Sequence, residues 1–552
     1  MTPTPTAVRR PGRRTGRRTA AAALAAALLV APLGACSDGA GTTPGPAGSP
    51  DGAPNPGGRL SFGLGYDPAC LDPQQAGGND SLNIGRQLVD SLTDQDPDTG
   101  EIVPWLATSW EVSPDATEFT FTLRDDATFA DGTPVDAEAV QANLDGIAAL
   151  GAQSTLGASY LSGYAETVVE DPRTARVVFD RPSAQFLQAT STMTLGLIST
   201  ESTALSVEER CAGEFVGSGP FVLTGWTPAQ SATVDRRDDY AWPSANADHE
   251  GPAHLDGIDF TVVPEASVRT GSIVSGQLDA FMNVLPADEA QLAGAGITVS
   301  ARANPGISFA LVPNLDRPVA GDDAVRAAIS AAIDRDLVVD TVLTPSYRRA
   351  TGPLTSSNPA YTDLSDLLQV DVEGAARTLD QAGWTVGDDG IRAKDGTRLS
   401  ATVIYITNFA GSEPALELVQ QQLRAIGIEL VLQEVQLAEY AQAREDGDAD
   451  FSWNSLTRAD GDVLRTVYGS PATLPLPDDD PLLDELAAQG AEPDRDARQE
   501  LLDGIQRELL ERHLSIPVLE FSTVVATAPH VHDVRFEASS RLSFYDTWVD
   551  GE

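Results

Sequence analysis

The chain has 552 residues, 36 basic and 81 acidic, for a formal net charge of −45. It is too long for one hydrophobic core, so two or three domains are expected. So acidic a surface argues against nucleic acid and anionic lipid as electrostatic partners, while 41% hydrophobic and 21% charged residues are ordinary for a folded protein.

Residues 1–36 read as a targeting segment outside the fold. Arg9, Arg10, Arg13, Arg14, Arg17 and Arg18 form a basic start, and Ala20 to Pro32 is an apolar run too short for an ordinary membrane span. Leu33-Gly34-Ala35-Cys36 matches a bacterial lipobox, so Cys36 is expected to carry the lipid. Removing six arginines and no acids leaves 36 − 6 = 30 bases against 81 acids, a formal charge of −51. Residues 37–58, rich in Gly, Pro, Ser and Thr, read as a flexible linker.

The folded part is expected to start with a strand near Arg59 and a helix over 81–92. Phe119, Phe121 and Leu123 alternate with polar residues, which predicts a half-buried strand. Asp131-Gly132-Thr133-Pro134 ends it, with Thr133 read as a helix N-cap and Pro134 as the first helical position. A hairpin is expected over 164–180, turning at Asp171-Pro172-Arg173. Ser218 stands between glycines, but no helix follows it, so a nucleophile elbow does not fit. The apolar ISFALVPN run (307–314) reads as a strand. Residues 322–343 read as one amphipathic helix with Val325, Ile329, Ile333 and Leu337 inward. The helix and strand alternation that follows predicts a mostly parallel sheet. Cys70 and Cys211 are the two cysteines left in the mature part, which in an exported protein suggests one disulfide. His530 and His532 have no partner cluster, and no metal site is expected.

Three blocks carry a resemblance. The first is Pro104, Leu106, Ala107, Trp110, Asp115, Thr120, Phe121, Leu123, Arg124, Phe129, Asp131, Gly132, Pro134, Ala137 and Val140. The second is Val325 to Arg335, and the third is Ala375 to Trp384. Together they resemble the peptide/nickel-type (family 5) solute-binding proteins, the extracytoplasmic receptors of bacterial ABC importers. The resemblance implies a two-lobe α/β fold of the periplasmic-binding-protein type (type II, cluster C-like), with a small extra α+β domain at about 90–200. The first lobe would span 59–305, the second 306–512, and 513–552 would return to the first.

It also implies binding without catalysis, cofactor or metal: a peptide-like or other small polar solute caught between the lobes and passed to a membrane permease, by a lipid-anchored monomer. A nickel chelate, opine or sugar, or a surface chaperone or adhesin role, are the alternatives. The segment Asp450 to Tyr468 is similar to the family's ligand-contacting stretch. Trp453, Asn454, Arg458 and Asp460 (or Asp462) are therefore expected at the ligand, joined by Ser308 and Asn314 near the crossover. Asp460 would take an ammonium group, and Arg458 a carboxylate by its bidentate fork.

Overall fold

The computed structural model describes residues 54–406 and 409–550, so the targeting segment, Cys36 and most of the linker lie outside the described residues. From Ala53 onward the chain forms one compact unit, built on two large sheets and one small one. The first sheet has seven strands in the order Thr298–Ala303, Ser522–Thr527, Ala280–Met282, Arg59–Leu64, Gly257–Val262, Ser231–Arg236 and Phe221–Thr227. Its three middle strands run parallel, and the outer pairings are antiparallel. The second has six: Arg348–Arg349, Ile516–Glu520, Gly306–Pro313, Phe451–Thr457, Ser400–Tyr405 and Glu429–Glu434. Only the pairings of Ser400–Tyr405 with its two neighbours are parallel. The expectation of a mostly parallel sheet is thus corrected: strands arriving from distant parts of the chain supply three antiparallel pairings.

The small domain is the four-stranded antiparallel sheet Ala107–Val112, Glu118–Leu123, Thr174–Phe179 and Tyr164–Asp171, covered by helix Ala137–Leu150. Alternation places Phe119 and Phe121 inward, where they meet Phe186 edge to face at 5.0 and 6.2 Å; such contacts contribute about 0.5–1.5 kcal/mol beyond area burial. The helix begins later than its sequence suggests. The Asp131 carboxylate accepts from the Thr133 amide and hydroxyl, closing a turn, and Pro134 bridges back to Thr128. The cap is Asp136, which accepts from the Ala139 amide at 2.9 Å.

The single helix expected over 322–343 is two, Asp323–Ala332 and Arg335–Val342. Asp334 is extended and caps the second helix through the Leu337 amide, because an N-cap aspartate satisfies a helix start better than a helix interior. Arg335 is buried and donates to the carbonyls of Ser330, Ile333, Leu368 and Pro517, using acceptors that the end of the first helix leaves free. Leu337, expected inward, is 48% exposed.

Cys70 and Cys211 are joined, with Cα atoms 4.2 Å apart. Gly217 and Gly219 let the chain press on the helix Asn79–Leu88: a Cβ at Gly217 would lie 1.9 Å from the Leu88 carbonyl oxygen. Ser218 between them is fully buried, accepting from the Asp90 amide and donating to the Leu197 carbonyl. Among the described residues no helix is long and apolar enough to cross a membrane.

Candidate functional site

The chain passes between the two large sheets twice, side by side. One passage joins Thr298–Ala303 to Gly306–Pro313; the other joins Ile516–Glu520 to Ser522–Thr527. Strand Ile516–Glu520 still belongs to the second sheet, so the return to the first lobe lies at Phe521, later than the boundary expected at 513. Buried Asn304 ties the passages together. Its amide donates to the Phe521 carbonyl at 2.8 Å, its Oδ1 accepts from the Thr523 hydroxyl at 2.8 Å, and its Nδ2 donates to Thr457 Oγ1 at 3.3 Å. Gly306 beside it has φ +133°, and a Cβ there would lie 1.9 Å from the Leu456 carbonyl oxygen, so only glycine lets strand Phe451–Thr457 approach so closely.

Where that strand ends, the Arg458 amide donates to the Pro305 carbonyl at 2.8 Å, and Asn358 holds the Arg458 carbonyl at 3.0 Å. The backbone thus aims the Arg458 side chain across the cleft. Its guanidinium donates to Ser159 Oγ and Thr466 Oγ1, both at 2.8 Å, and to Gln185 Oε1 at 3.3 Å, and it lies 4.6 Å over the ring of Tyr160. Ser159, Tyr160 and Gln185 belong to the first lobe. Other contacts close the same seam: Gln95 Nε2 to the Ala459 carbonyl at 3.4 Å, and the Ala184 amide to the Gly490 carbonyl at 3.0 Å. A cavity of about 180 Å³ lies beside it, lined from both lobes by Gln95, Gln188, Ala459, Asp460 and Arg498 among others. Gln188 Oε1 is buried there without a hydrogen-bond partner among the described residues.

Asp460 is engaged by its own lobe. Arg498 grips it bidentately at 2.9 and 2.6 Å, and it accepts from the Asp462 amide at 2.7 Å. Burial alone would raise the Asp460 pKa, but the Arg498 charge and hydrogen bonds hold it below the usual carboxylate range. Asp462 is fully buried, with Arg465 on both oxygens at 2.7 Å and Gln489 Nε2 at 2.7 Å. It stands 3.9 Å from Arg458.

The other expected site residues are dispersed. Trp453 is buried, stacked on Phe309 at 5.2 Å, with its Nε1 donating to Ser412 Oγ at 3.2 Å. Asn454 points from the opposite face of the strand and is half-buried. Ser308 is buried and donates to the Gly352 carbonyl. Asn314 lies apart from Arg458. Gly306 pairs with Thr457 at one end of the strand and Pro313 with Phe451 at the other, so eight residues at about 3.3 Å each put Asn314 roughly 26 Å from the Arg458 end. There it donates to the Gly447 carbonyl beside a separate depression. His530 and His532 pair with Asp279 and Asp550, and no group of His, Cys, Asp and Glu among the described residues is arranged to hold a metal. Sequence reasoning missed Ser159, Tyr160 and Gln185; only the folded chain brings them within reach of Arg458.

Residues 101–473 match the model of the bacterial extracellular solute-binding proteins, family 5. Protein XP55 of Streptomyces lividans is 32% identical over 354 residues, covering 62% of this chain and 60% of that protein. The probable D,D-dipeptide-binding periplasmic protein DdpA of Escherichia coli is 25% identical over 410 residues, covering 71% and 73%. The solved structure of NikA from Brucella suis, in complex with Fe(III)-EDTA, superposes with a TM-score of 0.79 at 24% identity, covering 89% of this chain and all of that one. The two-lobe architecture, the paired crossovers and a family match across more than half of the sequence agree: the chain belongs to the family 5 extracellular solute-binding proteins of bacterial ABC importers.

Proposed function

We propose that this protein is the extracytoplasmic receptor of an ABC importer, which captures a small, polar, peptide-like solute between its lobes and delivers it to a membrane permease. The observation that carries this reading is Arg458. A second-lobe residue reaches Ser159, Tyr160 and Gln185 of the first lobe, beside an interlobe cavity lined by polar groups. Hinge closure about neighbouring crossovers is a standard route to such capture. In this reading Arg458 and Gln188 face the solute, Asp460 holds the loop that aims Arg458, and Trp453 braces the strand behind it. The protein works as a monomer, without a catalytic step, tethered to the outer face of the membrane through lipid on Cys36. A relative named for probable D,D-dipeptide binding and a similar structure solved in complex with Fe(III)-EDTA fit a scaffold that accepts varied polar solutes.

Native mass spectrometry of protein purified from its own host tests the reading. A bound small solute, lost from Arg458→Ala, is the expected result; a panel of peptides and chelates that neither binds nor copurifies overturns it. Cys36→Ala is expected to release the protein from membranes, and a variant still membrane-bound would refute the lipid tether.

A further inference from the structure

We infer that Glu289 is a clasp between the lobes, a positioning residue that holds them together from the flank of the crossovers opposite Arg458; this rests on the receptor reading above and adds what sets the balance between its open and closed forms.

Helix Pro286–Gly294 has proline at its start and carries Asp288 and Glu289 in its first turn. Acids there ordinarily do no more than complement the helix end. Asp288 stays within its lobe, accepting from the Thr270 hydroxyl at 2.9 Å. Glu289 does not. Its two carboxylate oxygens accept from Thr344 Oγ1 and Ser346 Oγ of the second lobe, each at 2.7 Å. The second-lobe half of this contact is a turn, Thr344-Pro345-Ser346-Tyr347, closed by the Tyr347 amide on the Thr344 carbonyl at 3.0 Å, with Pro345 at the position that suits its fixed φ. Tyr347 is buried and packs on Phe409 at 5.4 Å, and Phe409 packs at 5.3 Å on Phe521, the crossover residue. The turn is thereby fixed to its own lobe, so its hydroxyls cannot follow Glu289 when the lobes part.

The topology gives the contact its leverage. In the second sheet the crossover strands Ile516–Glu520 and Gly306–Pro313 lie side by side, with Arg348–Arg349 bordering them on one flank and Phe451–Thr457 on the other. The clasp turn leads into the first border, and Arg458 follows the second. The lobes are thus held at both flanks of the hinge by different means. Arg458 is buried against the Tyr160 ring, whereas Glu289, Thr344 and Ser346 are all half-buried, and water can take over their hydrogen bonds on opening. Such a contact biases the equilibrium and still releases. Apparent affinity for a solute scales with the fraction of receptor in the competent form, so Glu289 acts on affinity without touching the solute.

The test uses the ligand-free full chain carrying Cys36→Ala, whose remaining cysteines are the bonded pair Cys70 and Cys211. Spin labels at Val268→Cys and Leu337→Cys report the lobe separation by double electron–electron resonance. Both positions are exposed; one lies on the helix packed against Pro286–Gly294, the other on the helix just before the clasp turn. Glu289→Ala is expected to move population from a shorter to a longer distance. Thr344→Val with Ser346→Ala is expected to do the same, and all three changes together to move it no further. Melting temperatures should stay at the wild-type value, as a contact replaced by water requires. A distance distribution in Glu289→Ala that matches wild type, or a shift in the triple variant equal to the sum of the other two, overturns the inference. No solute is added, so the two readings fail separately: unchanged distances with a copurifying solute remove the clasp alone, and shifted distances with no solute found remove the receptor reading alone.

Discussion

Replacing Arg498 with methionine removes the cation that hydrogen-bonds Asp460 and keeps most of the side chain's volume. The pair is bidentate at 2.9 and 2.6 Å, with 13% and 9% of the two side chains exposed, so water screens it little. Removing one partner of such a pair typically costs about 3–5 kcal/mol, because the other charge stays buried. The pH dependence follows from the direction of the Asp460 shift. In wild type its folded pKa lies below the unfolded value, so its contribution is present above the unfolded pKa and is lost as pH falls through the folded one. In Arg498→Met burial is opposed only by the Asp462 amide and the charge of Arg458, the pKa rises, and the penalty at neutral pH is relieved by protonation. Urea unfolding of the ligand-free proteins should therefore show a gap of several kcal/mol at pH 7 that narrows by pH 4.5. Asp460→Leu combined with Arg498→Met should recover most of the loss, since apolar replacement of both partners leaves no orphan charge. A single-variant loss below about 1 kcal/mol, or a gap that does not change with pH, would refute a buried, loop-holding role for the pair.

Three further outcomes follow from the packing. Breaking the Cys70–Cys211 link, which spans 141 residues, by double alanine substitution should cost about 2–5 kcal/mol in urea unfolding; no loss would show that the bond is absent. Gly306→Ala must place its Cβ against the Leu456 carbonyl from a backbone conformation foreign to alanine, so thermal unfolding should begin well below wild type, and an unchanged melting temperature would mean the crossover is laxer than described. His249 donates or accepts at both nitrogens, to Asp546 at 2.8 Å and the Pro252 carbonyl at 3.0 Å. Burial pulls its pKa down, but these partners outweigh it and leave it raised, so its stabilisation is full below the unfolded pKa near 6.5 and fades as pH rises through the folded value. His249→Gln should accordingly lose more stability at pH 5.5 than at pH 8.5, and equal losses would contradict the shift.

Local patterns were readable where a local force decides the outcome. Alternation placed Phe119 and Phe121 inward, a run of apolar residues marked the buried strand Gly306–Pro313, and two leftover cysteines pointed at each other. Competition between neighbouring signals was harder to read. Thr133 and Asp136 both qualify as caps, and Asp131 decides between them by capturing Thr133 in its turn. Asp334 breaks a helix whose apolar spacing continues unaltered through it. At the site, Arg458 was legible as a charged residue in the right segment, but its environment was not. Arg498 is 38 residues from the aspartate it holds, and Ser159 is 299 from the arginine it receives. Nothing in the spacing of a sequence encodes such meetings, so the first-lobe half of the cleft emerged only from the fold.

The order of the first sheet sets a timetable for the chain's maturation. Strand Ser522–Thr527 is an inner strand, paired on one side with Thr298–Ala303 and on the other with Ala280–Met282. The ribosome makes it more than two hundred residues after both neighbours. Until it arrives, the first lobe has a gap in its middle and two unpaired strand edges, surfaces that invite aggregation. The whole second lobe is thus an insertion that must be synthesised before the first can close. Folding of this receptor is a late and nearly all-or-none event. A chain ending at Glu520 should remain protease-sensitive even in the residues that precede the first crossover.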